Sequence, residues 1–342
     1  MAVSPKNAVV TGSHLDSVPD GGRLDGPLGV ISGFLAIDEL RARGIRPAHS
    51  IGVVGYLDEE GARFGVACLG SKLMAGKLDP ETARSLTDQG GTTLAEALGD
   101  FGFDADGIGR DDYRIAALTA QIELHIEQGR QLDRVDAPVG AATAIWPHGR
   151  WSFTFEGCAD HAGTAQLADR HDAALPFAVT VLAARDAADE LGARATFGRF
   201  PVCPGGPNVV PGRVDALLDA RAADNATLER LVEVIHATAI DAGREHGVTV
   251  TAEKLSWADG IEFDADLRDT TGKAAANADE PLVEVPTQAG HDSGVLDGEF
   301  PTAMLFVRSP HGVSHSPMES VSDDDITAGV AALARSLAEV AG

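Results

Sequence analysis

Apolar residues fall along this chain in two rhythms. Ala8 to Thr11 and Ile51 to Leu57 have the length and composition of buried strands. Between them Val30, Phe34, Ile37 and Leu40 recur at helical spacing, and Gly44 is placed to end that helix. Gln121 to Ile126 and Ala303 to Val307 repeat the strand pattern. Strands alternating with helices predict an α/β fold.

The middle of the chain reads differently. Trp151 to Phe155 alternates like a half-buried strand, and Ala173 to Leu191 is helical with Pro176 in its first turn. Asp215 to Arg221 is a strand, Leu228, Leu231, Val232 and Ile235 form the apolar face of a second helix, and Val248 to Ala252 returns as a strand. A β-α-β-β-α-β order fits a four-stranded sheet with two helices on one face. It predicts an inserted α+β, ferredoxin-like domain at 147–257 that splits a larger domain into 1–146 and 258–342.

Composition narrows the function classes. The 342 residues are 44% hydrophobic and 23% charged, ordinary for a globular protein with a real core. Lys and Arg number 27 against 52 Asp and Glu, a formal charge of -25. Such a surface repels phosphate backbones and anionic membranes, which argues against nucleic-acid and membrane partners. Cys68, Cys158 and Cys203 are scattered, without metal-type spacing, and read as reduced, mostly buried thiols of a cytoplasmic protein. The opening MAVSPKNAVV has no apolar signal core, and no stretch reaches the ~20 apolar residues of a membrane span.

Histidines and carboxylates concentrate in five short motifs. Gly12-Ser13-His14-Leu15-Asp16 follows a strand and leads into Leu24-Asp25-Gly26; in an extended segment His14 and Asp16 point the same way, so Asp16 can accept the spare imidazole N–H. Asp58-Glu59-Glu60 ends a strand, where three adjacent acids are tolerable on a solvated surface or beside a cation. Glu123, His125 and Glu127 share one face of another strand end. Gly312-Val313-Ser314-His315-Ser316-Pro317 puts a histidine in a tight loop, a place where a turn or capping residue is the plainer reading. The fifth, Asp160-His161-Ala162-Gly163-Thr164, lies in the inserted domain, with Asn208-Val209-Val210-Pro211-Gly212 and Arg221 beyond it.

Together these motifs resemble the di-metal amidohydrolases and peptidases that include aminoacylases, carboxypeptidase G, N-carbamoyl-L-amino-acid hydrolases and allantoate amidohydrolases. The carbamoylase and allantoate branch is the nearest, through GSHLDSVPDGGRLDG, DEEGARF, ELHIEQG, HAGT with RHDA, PNVVPGRV with LDAR, and AGHDSG with GVSHSP. The resemblance covers essentially the whole chain. It implies a Zn-peptidase-like catalytic domain, with a mixed central sheet flanked by helices, and an inserted lid and dimerisation domain. Carried onto matching positions, it makes Asp25 the bridge between two divalent cations, with His14 and His125 completing one site and Glu60 and His315 the other. Glu59 becomes the general base and Asp16 the partner of the His14 ring. Gln128, His161, Asn208 and Arg221 become substrate contacts, with His161 reaching into the partner's site of a homodimer, and His291 supports the site beside Asp292.

The resemblance further implies hydrolysis of a linear C–N bond in an N-carbamoyl-L-amino acid or allantoate-like ureido acid. Zn²⁺ suits the mixed ligands, as do Mn²⁺, Co²⁺ and Ni²⁺. An aminoacylase or peptidase acting on N-acyl amino acids or dipeptides is the alternative, and an inactive metal-binding homologue a third reading. The chain departs from the family pattern in three places: its first strand begins almost at Met1, Ala165-Gln166-Leu167 replaces Thr-Pro-Met, and Arg308 stands where proline is common. The short N-terminus bears on stability and activity, the other two on the substrate pocket or dimer contact.

Overall fold

The computed structural model describes residues 7–276 and 282–342; the MAVSPK opening and residues 277–281 lie outside it. Trp146–Ile261 forms one compact unit, and the chain on either side of it forms the other.

The larger unit is built on a mixed seven-stranded sheet. From one edge its strands are Ile51–Tyr56, Ala8–His14, Leu118–Ile126, Thr302–Val307, Val139–Ile145 and Ile261–Glu262, with Val283–Thr287 also paired to Val139–Ile145. The first four are mutually parallel, and Val139–Ile145 runs antiparallel to Thr302–Val307. Ala8–His14 and Thr302–Val307 are buried along their whole length, as strands covered on both faces must be. Helices Pro27–Ala42 and Asp323–Val340 supply Leu28, Ala36, Leu40, Leu333 and Leu337 to a core with Ile122, Leu124 and Leu305.

The helix after the first strand sits where the periodicity predicts, but it turns a different face inward. Val30 and Leu40 are buried while Phe34 is 59% exposed. The reason is close packing through small residues: a Cβ on Gly29 would stand 2.3 Å from the Leu124 carbonyl oxygen. The helix is apolar nearly all round, so spacing alone does not choose its inner face.

Gly12 shows why the Gly-Ser-His motif begins with glycine. It sits at φ 145, and a Cβ there would lie 1.9 Å from the Val54 carbonyl oxygen of the neighbouring strand. Gly12→Ala should therefore cost about 3 kcal/mol or more, from backbone strain plus the clash. An unchanged urea midpoint with an unchanged m-value would refute this.

Arg308, at the position where proline is common in the resembling family, has a local purpose. Its N–H donates to the Pro138 carbonyl at 3.0 Å. Its guanidinium clasps the buried Asp325 carboxylate in the first turn of the last helix, at 3.0 and 2.8 Å, and also meets Asp136. A proline would lose all of these contacts.

In the second unit, His148–Glu156, Arg194–Arg199, Arg213–Arg221 and Thr249–Ala258 form an antiparallel sheet in the spatial order fourth, first, third, second. Trp151, Phe153 and Phe155 face a core shared with helices Ala174–Glu190 and Asn225–His246. The thiols are less uniform than the sequence suggests: Cys68 is buried, but Cys158, in the irregular stretch after strand His148–Glu156, and Cys203, on the short strand Val202–Cys203 that pairs with Arg213–Arg221, are exposed. Among the described residues no helix is long and apolar enough to cross a membrane.

Candidate active site

Parallel strands that are neighbours end on the same side, and that brings the motifs together. His14 closes its strand opposite Tyr56, after which the chain runs directly into Asp58, Glu59 and Glu60. His125 lies opposite Phe306, and the chain leaving Val307 turns through Pro310–Gly312 to His315. Asp25 arrives in the loop before helix Pro27–Ala42, where Gly26 at φ 86 leaves room for the His14 ring; a Cβ would come within 2.4 Å of it. The carboxyl end of a parallel sheet is the usual place for a site in such folds.

Two groups of metal-type donors share Asp25. His14, Asp25 and His125 form one and Asp25, Glu60 and His315 the other, with the donor atoms of each within 4.8 Å of one another. Asp25 divides its oxygens between them. Oδ1 lies 3.2 Å from His125 Nε2 and 3.8 Å from His14 Nε2, while Oδ2 lies 3.3 Å from His315 Nε2. His315 Nε2 is also 3.2 Å from Glu60 Oε1.

The imidazoles are turned so that a lone pair faces the cluster. His14 Nδ1 is 3.0 Å from the Asp16 carbonyl oxygen, and His125 Nδ1 is 2.9 Å from that of Ile126. Each carbonyl accepts the Nδ1–H, so that in the neutral ring it is Nε2 that offers a lone pair to the cluster. The Asp16 carboxylate therefore does not hold the His14 ring as its spacing suggests: it is 3.7 Å away, and accepts instead the N–H groups of Glu59 and Glu60 at 3.1 Å each. It fixes the turn that carries the base and a ligand.

These residues fit divalent cations. Glu60 Oε1 is buried with no hydrogen-bond partner, which is costly unless something else binds it. Burial opposes charge on His125, yet the hydrogen bond to Asp25 and the charges of Asp25 and Glu123 raise its pKa to about 9, so the pocket favours a positive charge, which a cation would supply in place of the Nε2 proton. Burial likewise works against the Asp25 carboxylate, but His125, the Ser314 hydroxyl and His14 outweigh it and hold its pKa below the usual range.

Glu59 stands beside the cluster, with Oε2 3.8 Å from His14 Nε2. Burial pushes its carboxyl up to about 8, against the Cys68 thiol, which donates to Oε1 at 3.2 Å. A carboxyl of that basicity can take and return a proton near neutral pH.

Behind the donors lies a buried polar layer that the sequence motifs only hint at. Glu123 accepts the hydroxyls of Ser13 and Ser293 at 2.7 and 2.6 Å. It also lies within 4.8 Å of the donor atoms of His125 and His291, but with both oxygens engaged by hydroxyls it ties three segments together. His291 is buried, which drives its pKa well below the ordinary value, and its ring packs edge-on to His125 at 4.6 Å. Glu127 faces elsewhere and accepts the N–H groups of Gln131 and Leu132. Ser314, Glu319 and Cys68 also touch these residues; the neighbourhood of Ser314 to His315 is the only signal that could have marked any of them.

The residues expected to meet substrate divide between the units. Gln128 Nε2 donates to Asp25 Oδ2 at 2.7 Å. His161, Asn208 and Arg221 belong to Trp146–Ile261. Asp160–His161 pairs with Val209–Val210, and the Ala162 N–H donates to the Asn208 carbonyl. His161 Nδ1 accepts the N–H groups of Gly163 and Thr164 at 3.1 and 3.0 Å, which leaves its proton on Nε2, at the exposed end of the ring. Arg221 Nε donates to Asp219 in its own strand at 2.9 Å.

This is the arrangement of a metal-dependent amide hydrolase. Residues 10–339 match Peptidase family M20/M25/M40, and the chain belongs to that family. An N-carbamoyl-L-amino acid amidohydrolase of Geobacillus stearothermophilus is 36% identical to it over 326 residues, 95% of this chain and 80% of that protein. An allantoate amidohydrolase of Bacillus subtilis is 32% identical over 337 residues, 96% of this chain and 80% of that one. The crystal structure of an amidase of the hydantoinase/carbamoylase family from Burkholderia multivorans, 32% identical, superimposes with a TM-score of 0.89 over 99% of this chain and 82% of that chain.

Proposed function

We propose that the chain hydrolyses the C–N bond of a ureido acid, an N-carbamoyl-L-amino acid or an allantoate-like compound, with two divalent cations per subunit. The observation that carries the reading is the pair of donor groups sharing the two oxygens of Asp25, with Glu59 alongside. Mixed histidine and carboxylate donors favour Zn²⁺, and Mn²⁺, Co²⁺ and Ni²⁺ accept the same set.

Bound there, such cations would act as Lewis acids on a carbonyl oxygen and acidify water. Glu59 takes the proton of the attacking water and returns it to the leaving nitrogen. One water adds to the carbamoyl carbon, the C–N bond breaks, and the carbamic acid released falls to ammonia and carbon dioxide. We assign the inserted unit, 146–261, to the substrate. His161 Nε2–H and Asn208 serve as donors to the oxyanion, and Arg221, whose Nε and Nη2 hold the two oxygens of Asp219 at 2.9 and 3.3 Å, would meet a substrate carboxylate in exchange for that partner. The same unit would act as lid and as the contact of a homodimer in which His161 serves the partner's centre. Sedimentation that returns only monomer at assay concentration would remove that last assignment.

Purified without chelator, the protein should turn over N-carbamoyl-L-amino acids or allantoate and lose that activity on metal stripping. Turnover confined to N-acyl amino acids or dipeptides would overturn the substrate class in favour of an aminoacylase or peptidase.

A further inference from the structure

Glu319 lies outside the donor groups, yet it is only 8% exposed and both of its oxygens are used. Oε1 accepts the N–H groups of Leu24 at 2.9 Å and Asp25 at 3.0 Å. Oε2 lies 3.2 Å from the Ser314 hydroxyl, which is also 2.9 Å from Asp25 Oδ2. That hydroxyl therefore sits between two carboxylates, and Gln128 Nε2 joins it at 3.2 Å. Space for this reach comes from Gly22: a Cβ there would stand 2.2 Å from Glu319 Oε1 and 2.6 Å from Glu319 Cβ.

The two loops tied in this way are nearly 300 positions apart, and neither is held by regular structure. His315 has φ 53 and His311 φ 67, conformations that persist only when their surroundings impose them. His14 and His125, by contrast, sit on paired strands.

We propose that Glu319 is a positioning residue for the Asp25–Glu60–His315 group: by holding the Asp25 loop and, through Ser314, the His315 loop, it sets the affinity of that one cation site. This rests on the two-cation reading above. Partners that orient ligands typically account for about 10- to 100-fold in metal affinity.

The test is chelator titration of the zinc-loaded full chain, with bound zinc counted by elemental analysis. Wild type should release two ions. Glu319→Ala should release one of them at about 10- to 100-fold lower chelator concentration and the other as in wild type. Glu319→Gln should restore the wild-type profile, since its amide oxygen still accepts both N–H groups and its NH₂ can donate to Ser314. Gly22→Ala, which displaces Glu319 without altering its chemistry, should repeat the Glu319→Ala result and serves if that variant folds poorly. Wild-type profiles in Glu319→Ala and Gly22→Ala, or equal weakening of both ions, would overturn the inference. A wild-type chain that binds fewer than two ions would overturn the two-cation reading itself.

Discussion

An Asp25→Ala protein purified without chelator should carry neither cation, whereas His315→Ala should lose mainly one. Asp25 is 2% exposed and places one oxygen in each donor group. Without it, His14 with His125 and Glu60 with His315 are left as two-ligand sets, short of the three or four protein ligands that hold such ions. Activity should then fall to background. The loss should not come from unfolding: Asp25 is a charge held among histidines, and its loop remains tied through the backbone N–H groups that Glu319 accepts. Elemental analysis beside a far-UV spectrum checks both statements. An Asp25→Ala protein that keeps one ion at full stoichiometry would mean that the groups do not share this carboxylate.

Glu59→Gln should keep both cations and lose turnover by about 10²- to 10⁴-fold, the usual contribution of a general base. The substitution preserves shape and the contact of Oε1 with Cys68, while removing the oxygen that can hold a proton. The expected signature is a fall in kcat with metal content and KM little changed, because Glu59 is assigned to the proton and not to either donor group. If kcat in a metal-replete Glu59→Gln protein stays within a few-fold of wild type, the base lies elsewhere. Asp58 is then the first candidate, but it accepts the Arg63 and Phe64 N–H groups and is committed to its turn.

The chain by itself determined the elements and the chemistry available to them. Apolar runs at 8–11, 51–57, 121–126 and 303–307 lie on, or run one residue beyond, the strands Ala8–His14, Ile51–Tyr56, Leu118–Ile126 and Thr302–Val307, and helical spacing at 30–40, 173–191 and 228–235 falls on the helices Pro27–Ala42, Ala174–Glu190 and Asn225–His246, because burial imposes a period that sequence displays directly. The motifs at strand ends announced a site rich in histidines and carboxylates, and their order carried the family resemblance that the comparisons bear out. Only the tertiary structure decided how those parts meet. Parallel pairing of strands far apart in sequence brings His14, the acids after Tyr56 and His125 to one edge, and no local pattern contains that pairing. Tertiary packing also chose the inner face of a helix that is apolar nearly all round and turned Phe34 outward. It gave the His14 ring to a backbone carbonyl and the Asp16 carboxylate to the turn of Glu59 and Glu60. Glu319 stayed invisible in the sequence for the same reason: a carboxylate near the end of the chain signals nothing until the fold sets it against the backbone of Leu24 and Asp25. Periodicity reports which side of an element is buried; which distant atoms occupy that side is fixed only when the chain closes on itself.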